Sequence, residues 1–223
     1  NVFAACMLAH GHADTMITGV TRRFSVAYDD VRRVLDPMQS SRVFGLSILT
    51  MRDRTVFLAD TTVNELPSSV ELADIATQSA AVARRMGLEP RVALCAFSTF
   101  GNAQHGDTKR IVDAVTLLDS RDVDFEYDGE MAVDVALNAE LQELYPFCRL
   151  SGPANVLVMP GLQSANIAAK LMQSLGGGTM LGPLLVGLSH AVKIVPMGST
   201  VSDIVNMAAL SASEASLLED RRG

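Results

Sequence analysis

The sequence predicts an α/β fold, a three-layer α/β/α sandwich built on a mixed sheet. The first support is the alternation, along the whole chain, of short apolar runs with helical patterns. The second is the stretch Gly152–Lys170, which reads as strand, short loop and helix. Its apolar run Val156-Leu157-Val158-Met159 is bounded by Gly152-Pro153 and Pro160-Gly161, as in a strand buried on both faces. Ser164 is the expected N-cap of the helix, and Ile167, Ala168 and Leu171 follow at helical spacing up to Gly176. The third is a short link. Val43–Leu49 and Thr55–Ala59 read as strands separated only by Arg52-Asp53-Arg54 and its neighbours. A parallel pair needs a long crossover, so these two are antiparallel and the sheet is mixed. In open α/β sheets, ligands sit at the carboxyl ends of the strands, where helix starts offer N–H groups to anions.

In chain order, residues 1–9 read as the end of a helix closed by His10-Gly11-His12. Two His at this spacing suit either a metal or a solvated loop, and no third ligand stands nearby. Thr15–Thr18 is a strand ending at Gly19. Thr21, Arg22 and Arg23 follow, with Ser25 as cap of a helix that runs through Leu35 and ends before Pro37. Its apolar stripe is Val31, Val34 and Leu35, and its wet face holds Asp29, Asp30, Arg32 and Arg33. The pair Arg22-Arg23 suits a phosphate contact or a plain surface charge pair. Asp60–Asn64 is a polar loop. Pro67 and the capping box Ser68-x-x-Glu71 open the clearest helix, with Leu72, Ile75, Ala76, Ser79, Val82, Ala83 and Met86 on its apolar face and Gly87 as its stop.

Val92–Phe97 reads as a buried strand containing Cys95. The polar loop Ser98–Asn102 then suits an anion, a carbonyl or a bare turn. Asp107 caps a helix with Ile111, Val112, Val115 and Leu118. Asp124–Glu130 is a strand ending in an acidic corner. Asp128 and Glu130 suit acid/base or metal chemistry, or simply hold the Gly129 turn. A helix stopped by Pro146 follows. Beyond the flexible Gly176-Gly177-Gly178 come strands at Gly182–Gly187 and Val192–Val195, the loop Pro196–Thr200, a last helix from near Ser202, and a charged tail from Glu219 to Arg222.

The 223 residues suit one large α/β domain or two small ones, and 48% hydrophobic residues are enough for a full core. A net charge of −7 argues against nucleic acid as main partner. Cys6, Cys95 and Cys148 are scattered, as suits a reducing cytoplasm. The longest apolar region, Met180–Val201, is broken by Gly, Pro, His190 and Lys193, so no membrane span is expected. Asn1 stands inside an apolar helical pattern, which reads as a piece of a longer protein. There is no Ser–His–Asp motif, Walker loop or HExxH helix, and the triple Gly lacks dinucleotide-fingerprint spacing.

Several segments together resemble the phosphate acetyltransferase family. They are ADTMITGV at 13–20, the long stretch at 59–101, YDGEMAVDVAL at 127–137, GPANVLVMPGLQSANIAAK at 152–170, GPLLVGL at 182–188 and SDIVNMAAL at 202–210. The resemblance implies a two-part fold of the isocitrate-dehydrogenase-like, phosphotransacetylase type, with one part inserted in the other and CoA bound in the cleft. By that analogy 41–184 is the inserted part, and 1–40 with 185–223 belong to the other, whose amino-terminal portion is absent. Active members carry a Ser-Arg pair ahead of a Gly before the last helix, where this chain has Pro196-Met197-Gly198; Asp203 is retained. A phosphate-binding Arg of the family falls near Asp29, which reverses the charge.

This loss resembles the phosphotransacetylase-like carboxyl-terminal domain of bacterial NADP-dependent malic enzymes, through TRRFSVAYDDVRRVLDP, FEYDGEMAVDVALN, YPFCRLSGPANVLVMP and IVNMAAL. That resemblance implies an acetyl-CoA-sensing, oligomer-forming module without catalytic residues or metal of its own. It implies a dimer through this domain and a hexamer of the full protein, with NADP and Mg or Mn held elsewhere. The implied acetyl-CoA contacts are Thr21, Arg22 and Ser25 towards phosphates, Ser98, Thr99 and Asn166 towards the pantetheine or acyl carbonyl, and Pro196, Met197 and Asp203 around the old reaction centre. Active phosphate acetyl transfer, or a purely structural oligomerisation role, are the alternatives.

Overall fold

The computed structural model describes residues 1–101 and 107–220. The expected roles of Asn102, of the Asp107 side chain and of the charged tail side chains from Glu219 on lie outside the described residues. Helix α1 (Val2–Ala9) closes when the His10 and Gly11 N–H groups meet the Cys6 and Leu8 carbonyls. Strand β1 (Thr15–Gly19) leads to α2 (Phe24–Arg32). Ser25 does not cap α2. Arg23, in extended conformation, is the N-cap without a side-chain bond, and Ser25 lies inside the first turn. The helix stops at Arg32, short of the expected Leu35, and Ala27, Val31 and Leu35 are the buried residues.

The hairpin is β2 (Phe44–Thr50) and β3 (Thr55–Ala59), antiparallel as read. Helix α3 (Ser69–Arg85) carries the Ser68/Glu71 capping box with both reciprocal bonds formed. Strand β4 (Arg91–Cys95) is shorter than expected. Between Leu94 and Cys95 the register with β5 shifts by one, skipping Glu130; the Ala96 N–H still reaches the Met131 carbonyl, and beyond it Phe97 is 85% exposed. Then come α4 (Asp107–Asp119) and β5 (Glu126–Met131). The single helix expected before Pro146 is two short ones, α5 (Val133–Leu137) and α6 (Ala139–Gln142). Asn138 breaks it with extended backbone and accepts the Glu140 N–H at 2.9 Å.

Strand β6 (Val156–Val158) leads to α7 (Leu162–Leu175). The N-cap here is Gly161, not Ser164, whose hydroxyl donates back to the Gly161 carbonyl at 2.8 Å. Glycine is required by a close approach: a Cβ at 161 would lie 2.7 Å from the Glu65 carbonyl oxygen. The expected apolar face of α7 also turns round. Ala165 and Ala169 are buried, while Ile167 and Leu171 are 65% and 57% exposed. Small alanines let the helix lie close on the sheet, and the larger side chains point outward. The chain ends with β7 (Thr179–Val186), β8 (Ala191–Val195) and α8 (Val201–Asp220).

These elements form two compact units, residues 44–180 and residues 1–43 with those from 181 on. In the first, strands run in the order β5-β4-β6-β3-β2, and β7, which opens there at Thr179, stands next to β2. Strands β3, β6, β4 and β5 are mutually parallel. One face packs Val56, Leu58, Ala93, Cys95 and Leu157 against Ala136 of α5 and Ala165 and Ala169 of α7. Side chains alternate across strands, so Phe57, Val92, Leu94 and Val156 face the other way, towards the α3–α4 pair. This is the α/β fold with mixed sheet that the alternation predicts.

In the other unit β1 and β8 pair in parallel, Thr15 to Ala191 through Gly19 to Val195. Helix α8 packs on both strands. Beneath it Lys193, 3% exposed, pairs with Glu214 and donates to the Leu185 carbonyl at 3.3 Å, while the Thr15 hydroxyl bonds Ser211 and the Ala191 carbonyl. Among the described residues no helix is long and apolar enough to cross a membrane.

Candidate functional site

Because β3, β6, β4 and β5 are parallel, their carboxyl ends lie along one edge, and polar groups collect there. Asp60, 1% exposed, follows β3. Its carboxylate accepts N–H groups from Gly45 (2.8 Å), Thr62 (2.9 Å), Val63 (3.1 Å) and Asn64 (2.7 Å), and the Asn64 side-chain amide at 2.7 Å. This folds the 60–64 loop around one buried anion whose charge is met by aligned N–H dipoles. The loop then offers the Thr61 carbonyl, which accepts the Asn166 amide of α7 at 3.0 Å.

Glu130, 2% exposed, ends β5. Its Oε1 accepts the Ser98 hydroxyl at 3.3 Å and the Gly101 N–H at 2.8 Å. The Thr99 hydroxyl oxygen accepts the Ala132 N–H at 3.1 Å. Asp128 accepts the Gly129 and Arg149 N–H groups at 2.9 and 2.7 Å. Asp128, through both oxygens, and Glu130, through Oε1, therefore hold the Gly129 corner and its neighbouring loop. Among the described residues no cluster of three His, Cys, Asp or Glu has the makings of a metal site, His10 and His12 included.

In the other unit the parallel register brings the ends of β1 and β8 together, and the Val20 N–H donates to the Val195 carbonyl at 3.1 Å. Thr21, Arg22 and Ser25 all stand exposed around the start of α2. Arg22 is 56% exposed and 3.8 Å from Asp30, a loose pair that water screens. The α2 start has no side-chain cap, so its first N–H groups remain open to an anion.

The α8 start differs. The Thr200 N–H and hydroxyl both donate to Asp203 at 2.8 Å, and the Asp203 N–H returns to the Thr200 hydroxyl at 3.2 Å. Asp203 thus caps its own helix. The Thr200 backbone N–H, then its hydroxyl, hold this carboxyl below the usual range. Pro196 and Met197 form an exposed turn, with the Pro196 carbonyl accepting the Ser199 hydroxyl at 2.9 Å.

Strand order thus gathers Ser98, Thr99, Glu130, Asp60 and Asn166 along one edge, and Thr21, Arg22, Ser25, Pro196, Met197 and Asp203 around the ends of β1 and β8. Sequence reasoning missed Asp60 as an organiser. The signal was present: an Asp directly after a strand, before Thr-Thr-x-Asn, is the pattern of a carboxylate bonding N–H groups just ahead of it. It also missed the Lys193–Glu214 pair, for which a spacing of 21 residues gives no local signal.

The phosphate acetyl/butaryl transferase family profile matches residues 1–212. An NADP-dependent malic enzyme of Rhizobium meliloti is 56% identical over 96% of this chain, which spans 28% of that protein's length. A probable NADP-dependent malic enzyme of Rickettsia prowazekii is 47% identical, again over 96% of this chain and 29% of its own length. A phosphate acetyltransferase of Bacillus subtilis is 32% identical, over 96% of this chain and 67% of its length. Among solved structures, a phosphotransacetylase from Streptococcus pyogenes superimposes with a TM-score of 0.91 at 29% identity, covering 96% of this chain and 67% of its own. With its α/β architecture and a match along nearly its whole length, the chain belongs to the phosphate acetyl/butaryl transferase family.

Proposed function

We propose that this chain is a regulatory, oligomer-forming, acetyl-CoA-binding domain of an NADP-dependent malic enzyme, and that it has lost acetyl transfer of its own. The observation that carries the reading is the turn after β8. Pro196 and Met197 supply neither a side-chain donor nor a cation there, and Asp203 is engaged in capping α8. A transferase centre needs donors placed where negative charge develops. The 56% identity to a malic enzyme supports the attachment to malate chemistry.

In this reading the full protein decarboxylates malate oxidatively to pyruvate, in the cytoplasm. NADP and a divalent metal, Mg or Mn, belong to sequence beyond this chain. Copies associate as dimers through this domain and as hexamers of the full protein. Acetyl-CoA acts as effector, which requires different affinities for two states of the assembly. Hydroxyl and amide groups such as Thr99 and Asn166 suit the carbonyls and amides of the ligand.

The likeness to phosphate acetyltransferases favours a second reading, an active enzyme forming acetyl phosphate from acetyl-CoA and phosphate. Calorimetric titration of acetyl-CoA into the full-length protein, with a parallel assay for acetyl phosphate, separates the two. Binding without acetyl phosphate is expected. Turnover would install the transferase reading. Neither binding up to millimolar ligand nor turnover would leave a structural oligomerisation module.

A further inference from the structure

We propose that Glu130 is a positioning residue of the ligand site, and that the group it serves is a ligand carbonyl oxygen received by the Thr99 hydroxyl. The inference rests on the acetyl-CoA reading. Every residue from Ser98 to Gly101 is hydrogen-bonded to the 130–132 segment. Ser98 donates its hydroxyl to Glu130 Oε1 (3.3 Å), and Gly101 donates its N–H to the same oxygen (2.8 Å). The Phe100 N–H donates to the Glu130 carbonyl (2.9 Å), and the Ala132 N–H donates to the Thr99 hydroxyl oxygen (3.1 Å).

The loop so held is not a relaxed one. Phe100 has φ +48°, left-handed backbone that an aromatic residue rarely adopts, and Gly101 has φ +99°. The Phe100 ring is wedged against Tyr145 and Phe147, with centroids 5.3 and 5.1 Å away. Buried carboxylate, aromatic wedge and strained backbone together over-determine one loop conformation, the condition for a preorganised binding group.

Donor arithmetic then separates the two neighbouring hydroxyls. Ser98 has one proton, given to Glu130, and is 4% exposed, so it acts as a staple and not as a ligand contact. Thr99 is half-buried, and its oxygen is already an acceptor for Ala132. Among the described residues no acceptor takes the Thr99 proton. A neutral hydroxyl donor matches a carbonyl oxygen better than a phosphate. Acetyl-CoA carries such oxygens in the amides of its pantetheine arm and in its thioester.

The test measures dissociation constants of acetyl-CoA and of CoA by calorimetry on the full-length protein, with melting temperatures recorded without ligand. Thr99→Val should weaken acetyl-CoA binding about fivefold, the worth of one neutral hydrogen bond, and lower the melting temperature by about 2–4 °C because the Ala132 N–H also loses its acceptor, whereas Thr99→Ser, which keeps the hydroxyl, should stay within about twofold of wild type. An equal loss for CoA assigns the oxygen to the pantetheine arm, and a loss for acetyl-CoA alone assigns it to the acetyl group. Glu130→Ala should weaken binding about tenfold, and Glu130→Gln, whose amide oxygen still accepts, should return to within about twofold of wild type. If Glu130→Ala does not fold, Ser98→Ala replaces it, with a loss of about threefold expected. Thr99→Val within twofold of wild type, or a Glu130 or Ser98 variant that melts earlier with unchanged affinity, overturns the positioning role alone. A wild-type protein that binds neither ligand overturns the acetyl-CoA reading and this proposal with it.

Discussion

Removing the Asp60 carboxylate tests whether one buried anion builds the 60–64 loop. It accepts five hydrogen bonds, between 2.7 and 3.1 Å, four from backbone N–H groups and one from the Asn64 amide. In Asp60→Ala all five donors lose their acceptor. The Gly45 N–H bond is buried and water does not reach it, while the other four are only part-buried and can be rehydrated. An orphaned buried donor costs about 1–3 kcal/mol and a rehydrated one much less, so the sum is roughly 3 kcal/mol. Asp60→Asn keeps Oδ1 for Gly45, Thr62 and Val63 but turns an NH2 towards the two Asn64 donors, a loss of about 2 kcal/mol. For a chain of this size that is a melting temperature lower by about 6–12 °C for the Ala variant and about 4–8 °C for the Asn variant. Thermal unfolding followed by circular dichroism reads both. Variants within 1 °C of wild type, or an Asn variant weaker than the Ala variant, would refute the reasoning.

Three further outcomes follow from packing and charge. Leu171→Ser on the outward face of α7 should cost less than about 0.5 kcal/mol, whereas Ala165→Leu should cost about 1–3 kcal/mol by overpacking; urea midpoints showing the reverse order would restore the sequence-predicted face. Lys193→Met leaves Glu214, 24% exposed, without its cation and should cost about 1–3 kcal/mol, part of that charge being met by water, while Lys193→Met with Glu214→Leu should regain most of it. A double variant no better than the single one would show that the pair does not act as a unit.

The third outcome concerns pH. Hydrogen bonds from Arg149 and then Tyr127 hold the Asp119 carboxyl below its usual range. Its folded value is depressed, so this stabilisation is present above the ordinary carboxylate range near pH 4 and lost as pH falls through the lower folded value. The pair is nearly half exposed and screened, so Arg149→Gln should cost at most about 0.5 kcal/mol at pH 7 and nothing near pH 2. A cost that grows on acidification would contradict it.

How much of this was legible beforehand depended on the range of each signal. The β2–β3 hairpin and the Ser68–Glu71 box were readable because each is decided within a few residues. The strand-then-helix order around Gly152–Lys170 was readable for the same reason. The burial side of α7 was not. Its sequence carries an alanine stripe and an Ile/Leu stripe, and hydropathy favours the larger residues. Closeness to the sheet favours the smaller ones, and that closeness is set by elements far away in the chain. Ser25 and Ser164 were equally good caps by composition, but the chain enters each helix earlier, at Arg23 and Gly161. The site behaves alike. Ser98 and Thr99 were visible as a polar loop after a strand, and Asn166 only through the family resemblance, but the Ser98–Glu130 bond joins residues 32 apart, and only the pairing of β4 with β5 brings them together.

The central claim is that this domain senses acetyl-CoA on behalf of malate chemistry carried out elsewhere in the protein. The most direct measurement is the rate of malate-dependent NADPH formation by the full-length protein across an acetyl-CoA titration, compared with the calorimetric binding curve. The account predicts a saturable change in rate whose midpoint coincides with the dissociation constant. A rate that stays flat while the ligand binds, or a ligand that does not bind up to millimolar concentration, would contradict it.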